Sequence, residues 1–182
     1  MKGAILLLVG SLTAFPATAG LPFFIERCVD PFLAGNEVDR SGLEALDLSG
    51  IAEAEEISGP VFLDPRSDFG LFQMDGDAGP GCGASVGIDA VESAAIVDDY
   101  IAALAKRGLT SVRDCGPQAG AAERFVMVGT VRRHPARDAY LQAFLVVHLA
   151  EPLLGAHDVT LSISEIGSPF PASFPCVSEE EP

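Results

Sequence analysis

The sequence predicts an α+β fold. It reads as one mainly antiparallel sheet of about five to six strands, with two main helices packed on one face and disulfides stapling the whole. Three observations point there. Strand-like runs come in pairs joined by Gly, Pro and Asp turns, which favours hairpins over a parallel sheet. Two helical patterns, at residues 21–35 and 90–107, stand before and between those runs. Four cysteines, Cys28, Cys82, Cys115 and Cys176, are widely separated, with no Cys-x-x-Cys pair to suggest a metal.

The chain opens MKGAILLLVGSLTAFPATAG, with a positive charge at Lys2 and an apolar core from Ala4 to Phe15. That core is shorter than the about 20 residues a bilayer span needs. Ala17 and Ala19 supply the small residues a signal peptidase requires, so cleavage is expected after Ala19. The expected organisation is a signal peptide at 1–19, a single exported α+β domain at 20–175 and an acidic tail at 176–182. No membrane span is expected after cleavage, which places the mature chain in the periplasm or outside the cell. There an even cysteine count reads as two disulfides with three possible connectivities. Order along the chain favours Cys28–Cys82 and Cys115–Cys176.

Each element follows from local pattern. Residues 21–35 put Phe24, Cys28 and Phe32, and also Ile25, Val29 and Leu33, at helical spacing, with Pro31 predicting a kink or a restart. Residues 36–59 carry scattered acids and glycines and read as a solvated connection. VFL and LFQM, separated by DPRSDFG, make a hairpin. DGDAGPG is a Gly-rich turn leading into a strand at 82–88, whose small residues suit close packing. Asp89 with Glu92 predicts a capping box for the 90–107 helix, and Gly108 its end. Residues 109–124 read as a loop. Phe125–Arg132 and Ala139–Leu149 form a second hairpin, its later strand central. Val159, Leu161 and Ile163 alternate with Thr160, Ser162 and Ser164 in a strand expected to be half exposed. The Pro/Ser-rich end is expected to run extended, tied down by Cys176.

Composition narrows function by exclusion. A net charge of −15 repels phosphate backbones and anionic lipid, so nucleic acid is not an expected partner. A basic ligand or another exported protein suits that surface better. No cofactor motif is present. GASVG at 83–87 has the G-x-S-x-G form, which makes Ser85 a candidate nucleophile with His157 or His148 as base. A Gly/Pro turn precedes Ser85 instead of the buried strand an elbow needs, so close packing explains the small residues better. Asp75 and Asp77 imitate the start of a calcium loop, but Gly79 and Val86 occupy later ligand positions, so no metal is expected. The expected function is a small exported binding or interaction protein. A Ser85-dependent hydrolase, or an inhibitor or chaperone-like partner of an exported protein, are the alternatives.

Overall fold

The computed structural model describes residues 20–46, 60–65, 69–76, 79–88, 93–116, 122–148 and 157–170. The signal segment, the Asp89/Glu92 capping box, Cys176 and the acidic tail lie outside these residues. Eight strands form one sheet: β1 (Glu44–Ala45), β2 (Val61–Leu63), β3 (Gly70–Gly76), β4 (Gly79–Ile88), β5 (Ser111–Asp114), β6 (Ala122–Gly129), β7 (Tyr140–His148) and β8 (His157–Ile166). Their order is β1-β2-β3-β4-β8-β7-β6-β5, and every pairing is antiparallel. Eight replaces the five to six expected. The additions are the two edges, β1 inside the presumed connection and β5 inside the presumed 109–124 loop. Strands of two and four residues leave too little alternation to read.

Two four-strand meanders make up this sheet. After β4, helix α3 (Ser93–Ala105, numbered after the two N-terminal segments) carries the chain to β5 at the far edge. The second meander then returns inward until β8 pairs with β4. β8 is therefore central rather than half exposed: Val159, Leu161 and Ile163 have no accessible surface and Ser162 only 8%. The DGDAGPG turn is also tighter than expected, since β3 and β4 pair as far as Gly76 and Gly79.

The N-terminal helix runs through Pro31 without a break. It comprises α1 (Gly20–Phe24), a π-helical turn (Ile25–Val29) and α2 (Asp30–Leu33). Pro31 has no N–H, so a regular helix would strip the Arg27 carbonyl of its donor. The wider turn sends the Asp30 N–H to the Ile25 carbonyl, and the Asp39 N–H bonds Arg27 O at 2.8 Å. The orphaned acceptor is thus satisfied from outside the helix.

Both apolar stripes of this helix are buried: Phe24, Cys28 and Phe32, with Ile25, Val29 and Leu33. They join Ile96, Val97, Tyr100 and Leu104 of α3 in one core with Leu71, Ala84, Val86, Leu145 and Leu161 of the sheet. The Cys28–Cys82 disulfide, with Cα atoms 5.8 Å apart, bonds the π turn to β4. Arg107 fastens the two helices together. Its Nε donates to Asp30 Oδ1 at 2.6 Å and its Nη2 to Oδ2 at 2.9 Å. Gly108, at φ +87°, ends α3 as expected. Cys115 is disulfide-bonded too, to a cysteine outside the described residues.

Replacing both Cys28 and Cys82 by Ser is expected to cost about 4 kcal/mol through the entropy of a 54-residue loop, read as a lower denaturation midpoint. Non-reduced peptide mapping should first link the Cys28 and Cys82 peptides. Free thiols there would remove the bond.

Candidate functional site

Residues paired across strands share a face, and neighbours along a strand alternate faces. Phe62, Leu71, Ala84, Leu161, Leu145 and Val126 form a continuous row on the core side. One step along, Leu63, Gly70, Ser85, Thr160, Val146 and Phe125 form a row on the other face. Beside it runs Val61, Phe72, Gly83, Ser162, Phe144, Met127 and Arg113. A third row holds Met74, Gly81, Ser164, Gln142 and Gly129.

These rows make a trough. In these three rows the central strands β4 and β8 present Gly81, Gly83, Ser85, Thr160, Ser162 and Ser164, small residues of which four carry hydroxyls. Leu63, Phe72 and Met74 flank the trough on one side, and Phe125, Phe144 and Val146 on the other. All six flanking side chains are half-buried and lie outside the core cluster. The flanking strands β3 and β7 are three strand spacings apart, about 14 Å. Phe125 and Phe144 stack with centroids 5.6 Å apart. Phe72 lies so close over Gly83 that a Cβ there would sit 2.2 Å from the ring's Cζ. Gly83 is small because Phe72 occupies the space, as the close-packing reading of GASVG requires.

Ser85 is half-buried in the middle of a strand that continues to Ile88. It stands between Gly70 and Thr160, whereas a nucleophile elbow puts serine on a sharp strand-to-helix turn. His157 pairs with Ile88, three residues along from Ser85, and His148 pairs with Ala122, two strands beyond β4. Strand geometry puts each backbone on the order of 10 Å from Ser85. The register therefore does not bring the three candidates together. Asp75 pairs with Pro80 in the β3–β4 hairpin, and Asp77 lies outside the described residues. Among the described residues no three His, Cys, Asp or Glu side chains gather as a metal site.

Polar groups elsewhere serve the framework. His134 is 8% exposed, with Nε2 2.7 Å from the Arg107 carbonyl, and its Nδ1 accepts the Ala136 N–H at 3.3 Å. It joins the β6–β7 turn to the end of α3. Tyr100 Oη is buried with no hydrogen-bond partner, and burial pushes its pKa well above the ordinary value. It faces the core beside Phe24, away from the trough. Burial alone would raise the Asp114 carboxyl. Arg124 and the Gly116 N–H outweigh it and hold the carboxyl below its usual range. That cluster fixes the turn carrying Cys115.

The flanking aromatics escaped sequence reasoning because an apolar strand residue looks the same on either face. The signal that could have found them is the column of small residues, Gly81-Gly83-Ser85 with Thr160-Ser162-Ser164. Compared with known protein families, curated proteins and solved structures, the chain gives no significant match.

Two outcomes follow from this geometry. Gly83→Val should displace Phe72 and cost about 1–3 kcal/mol, measured by thermal or denaturant unfolding. A fluorophosphonate probe should leave Ser85 of the folded protein unlabelled, and a Ser85 adduct found by mass spectrometry would restore the nucleophile.

Proposed function

We propose that this chain is a small exported binding protein that holds an apolar molecule along the trough. Both helices pack on the opposite face in this reading. One observation carries it: six half-buried apolar side chains, Leu63, Phe72, Met74, Phe125, Phe144 and Val146, line hydroxyl-bearing central strands and belong to no part of the core cluster. Contiguous apolar surface of that kind marks a contact site more often than a solvated face. The hydroxyls of Ser85, Ser162 and Ser164 give a bound molecule's polar end something to meet. Covering about 200 Å² of such surface contributes about 5 kcal/mol before the cost of association.

Export is supported by the disulfides at Cys28, Cys82 and Cys115, bonds that persist in oxidising compartments. Among the described residues no helix is long and apolar enough to cross a membrane. The hydrolase reading gains no support from the register, which sets the His148 and His157 backbones about 10 Å from Ser85.

The test is titration with a neutral naphthylamine dye, chosen because an anionic dye would be repelled. Saturable fluorescence enhancement is expected. Val146→Glu should weaken it at least about tenfold by placing a charge on the trough wall. Val112→Glu, on an edge-strand position already 45% exposed, should leave it unchanged. Absence of saturable binding, or equal behaviour of the two variants, would overturn the proposal. Recovery of one stoichiometric exported protein on the same face would favour the inhibitor or chaperone-like alternative instead.

A further inference from the structure

Cations gather at one place in this acidic chain. Lys106 and Arg107 follow α3, and Arg132, Arg133 and Arg137 belong to the β6–β7 turn, so two short segments hold five of the 11 basic residues. The fold brings these segments together. His134 Nε2 lies 2.7 Å from the Arg107 carbonyl, and a Cβ on Gly108 would meet the His134 ring at 3.3 Å. The turn is itself fixed. His134 donates its N–H to the Ala139 carbonyl at 2.7 Å, and its own carbonyl accepts the Arg137 and Asp138 N–H groups at 3.1 and 2.8 Å.

The five side chains divide by exposure. Arg107 is held by Asp30 and Arg137 by Glu165, with only 24% and 19% of each arginine exposed, so both belong to the framework. Lys106, Arg132 and Arg133 face solvent. Arg133 pairs with Asp138, whereas Lys106 and Arg132 have no ion-pair partner among the described residues. Five cations against three carboxylates leave a local positive surplus in a chain of net charge −15. Val131, at the start of the same turn, is 54% exposed and sets an apolar side chain beside these charges.

We infer that this corner, the end of α3 with the β6–β7 turn, is a docking surface for a carboxylate-rich segment of another polypeptide. The extent of the partner's charge decides this. At about 0.1 M salt a charge is felt over about 10 Å, so a short acidic segment meets the local surplus. A bilayer or a nucleic acid carries its negative charge over a wider area, and the rest of this acidic surface opposes its approach. Guanidinium groups bind carboxylates through paired N–H donors, and Arg133 keeps donors beyond those it gives Asp138. A turn already held by its own hydrogen bonds loses little freedom on docking. Neither this surface nor the trough requires the other.

The test is fluorescence anisotropy of a fluorescein-labelled oligoglutamate peptide at about 0.1 M salt, with oligoglutamine of equal length as control. Saturable binding of oligoglutamate alone is expected, weakening as salt rises. Arg132→Glu should weaken it at least about fivefold, and the Lys106→Glu/Arg132→Glu double variant should abolish saturation. Arg40→Glu makes the same change of charge over Phe62 of β2, four strand spacings or about 19 Å from β7, and should stay within about twofold. If a reversed charge disturbs the turn, seen as a lower melting midpoint, Arg132→Gln and Lys106→Gln replace it and should each weaken binding about twofold. Absence of saturable oligoglutamate binding, or an equal loss in Arg40→Glu, would overturn the inference. So would retention on phosphatidylglycerol vesicles that Arg132→Glu abolishes, which would assign the corner to a membrane surface.

Discussion

The β4–β8 ladder is the contact on which the rest of the structure depends. It joins residues 81–88 to residues 157–164 and is the only seam between the two meanders among the described residues. Each meander alone would expose a long central-strand edge, an open template for misassociation. Paired, those edges vanish into the middle of the sheet, and the edges that remain are β1 and β5, two and four residues long. Closing such a long loop before any ladder bond forms is entropically costly. The Cys28–Cys82 bond bears on the same strand, fastening β4 to the helix that precedes it.

The ladder also explains the residue types on the sheet face opposite the core cluster. Strands that meet in the centre of an eight-stranded sheet have neighbours on both sides, and here those neighbours are aromatic. Phe72 leans from β3 over Gly83, while Phe144 stands beside Ser162 from β7. Large side chains on β4 or β8 would collide with these rings. Small residues at the seam and large ones beside it are thus one packing solution.

Arginines hold the periphery. Arg107 pairs with Asp30 and bonds the Ala103 carbonyl, so the end of α3 is tied to the start of α2. Arg137 binds Glu165 of β8 and lies 4.6 Å from the Phe32 ring, bringing the β6–β7 turn onto the same helix. Arg40 covers Phe62 at 4.8 Å and donates to Gln73. In a chain with 26 acidic and 11 basic residues, several of the cations are placed where separate elements meet. Planar guanidinium groups suit this, since one can bind a carboxylate and stack on a ring together.

The sequence by itself determined the local elements: both hairpins, the helical stripe of Phe24, Cys28 and Phe32, the end of α3 at Gly108, and the apolar face of β7. These depend on periodicity and on single-residue backbone preferences, which neighbours in the chain express directly. It also ranked the Cys28–Cys82 pairing first. Tertiary structure decided the rest. A two-residue edge strand has no period, so β1 and β5 could be seen only once their partners were in place. Pro31 leaves kink and restart equally open until Asp39 supplies the donor that lets a π turn pass through it. β8 reads as half exposed because alternating Val and Ser look the same whether solvent or an aromatic neighbour covers the small side. GASVG likewise has the spacing of a nucleophile elbow, and only the register places Ser85 mid-strand between Gly70 and Thr160 instead of on a strand-to-helix turn.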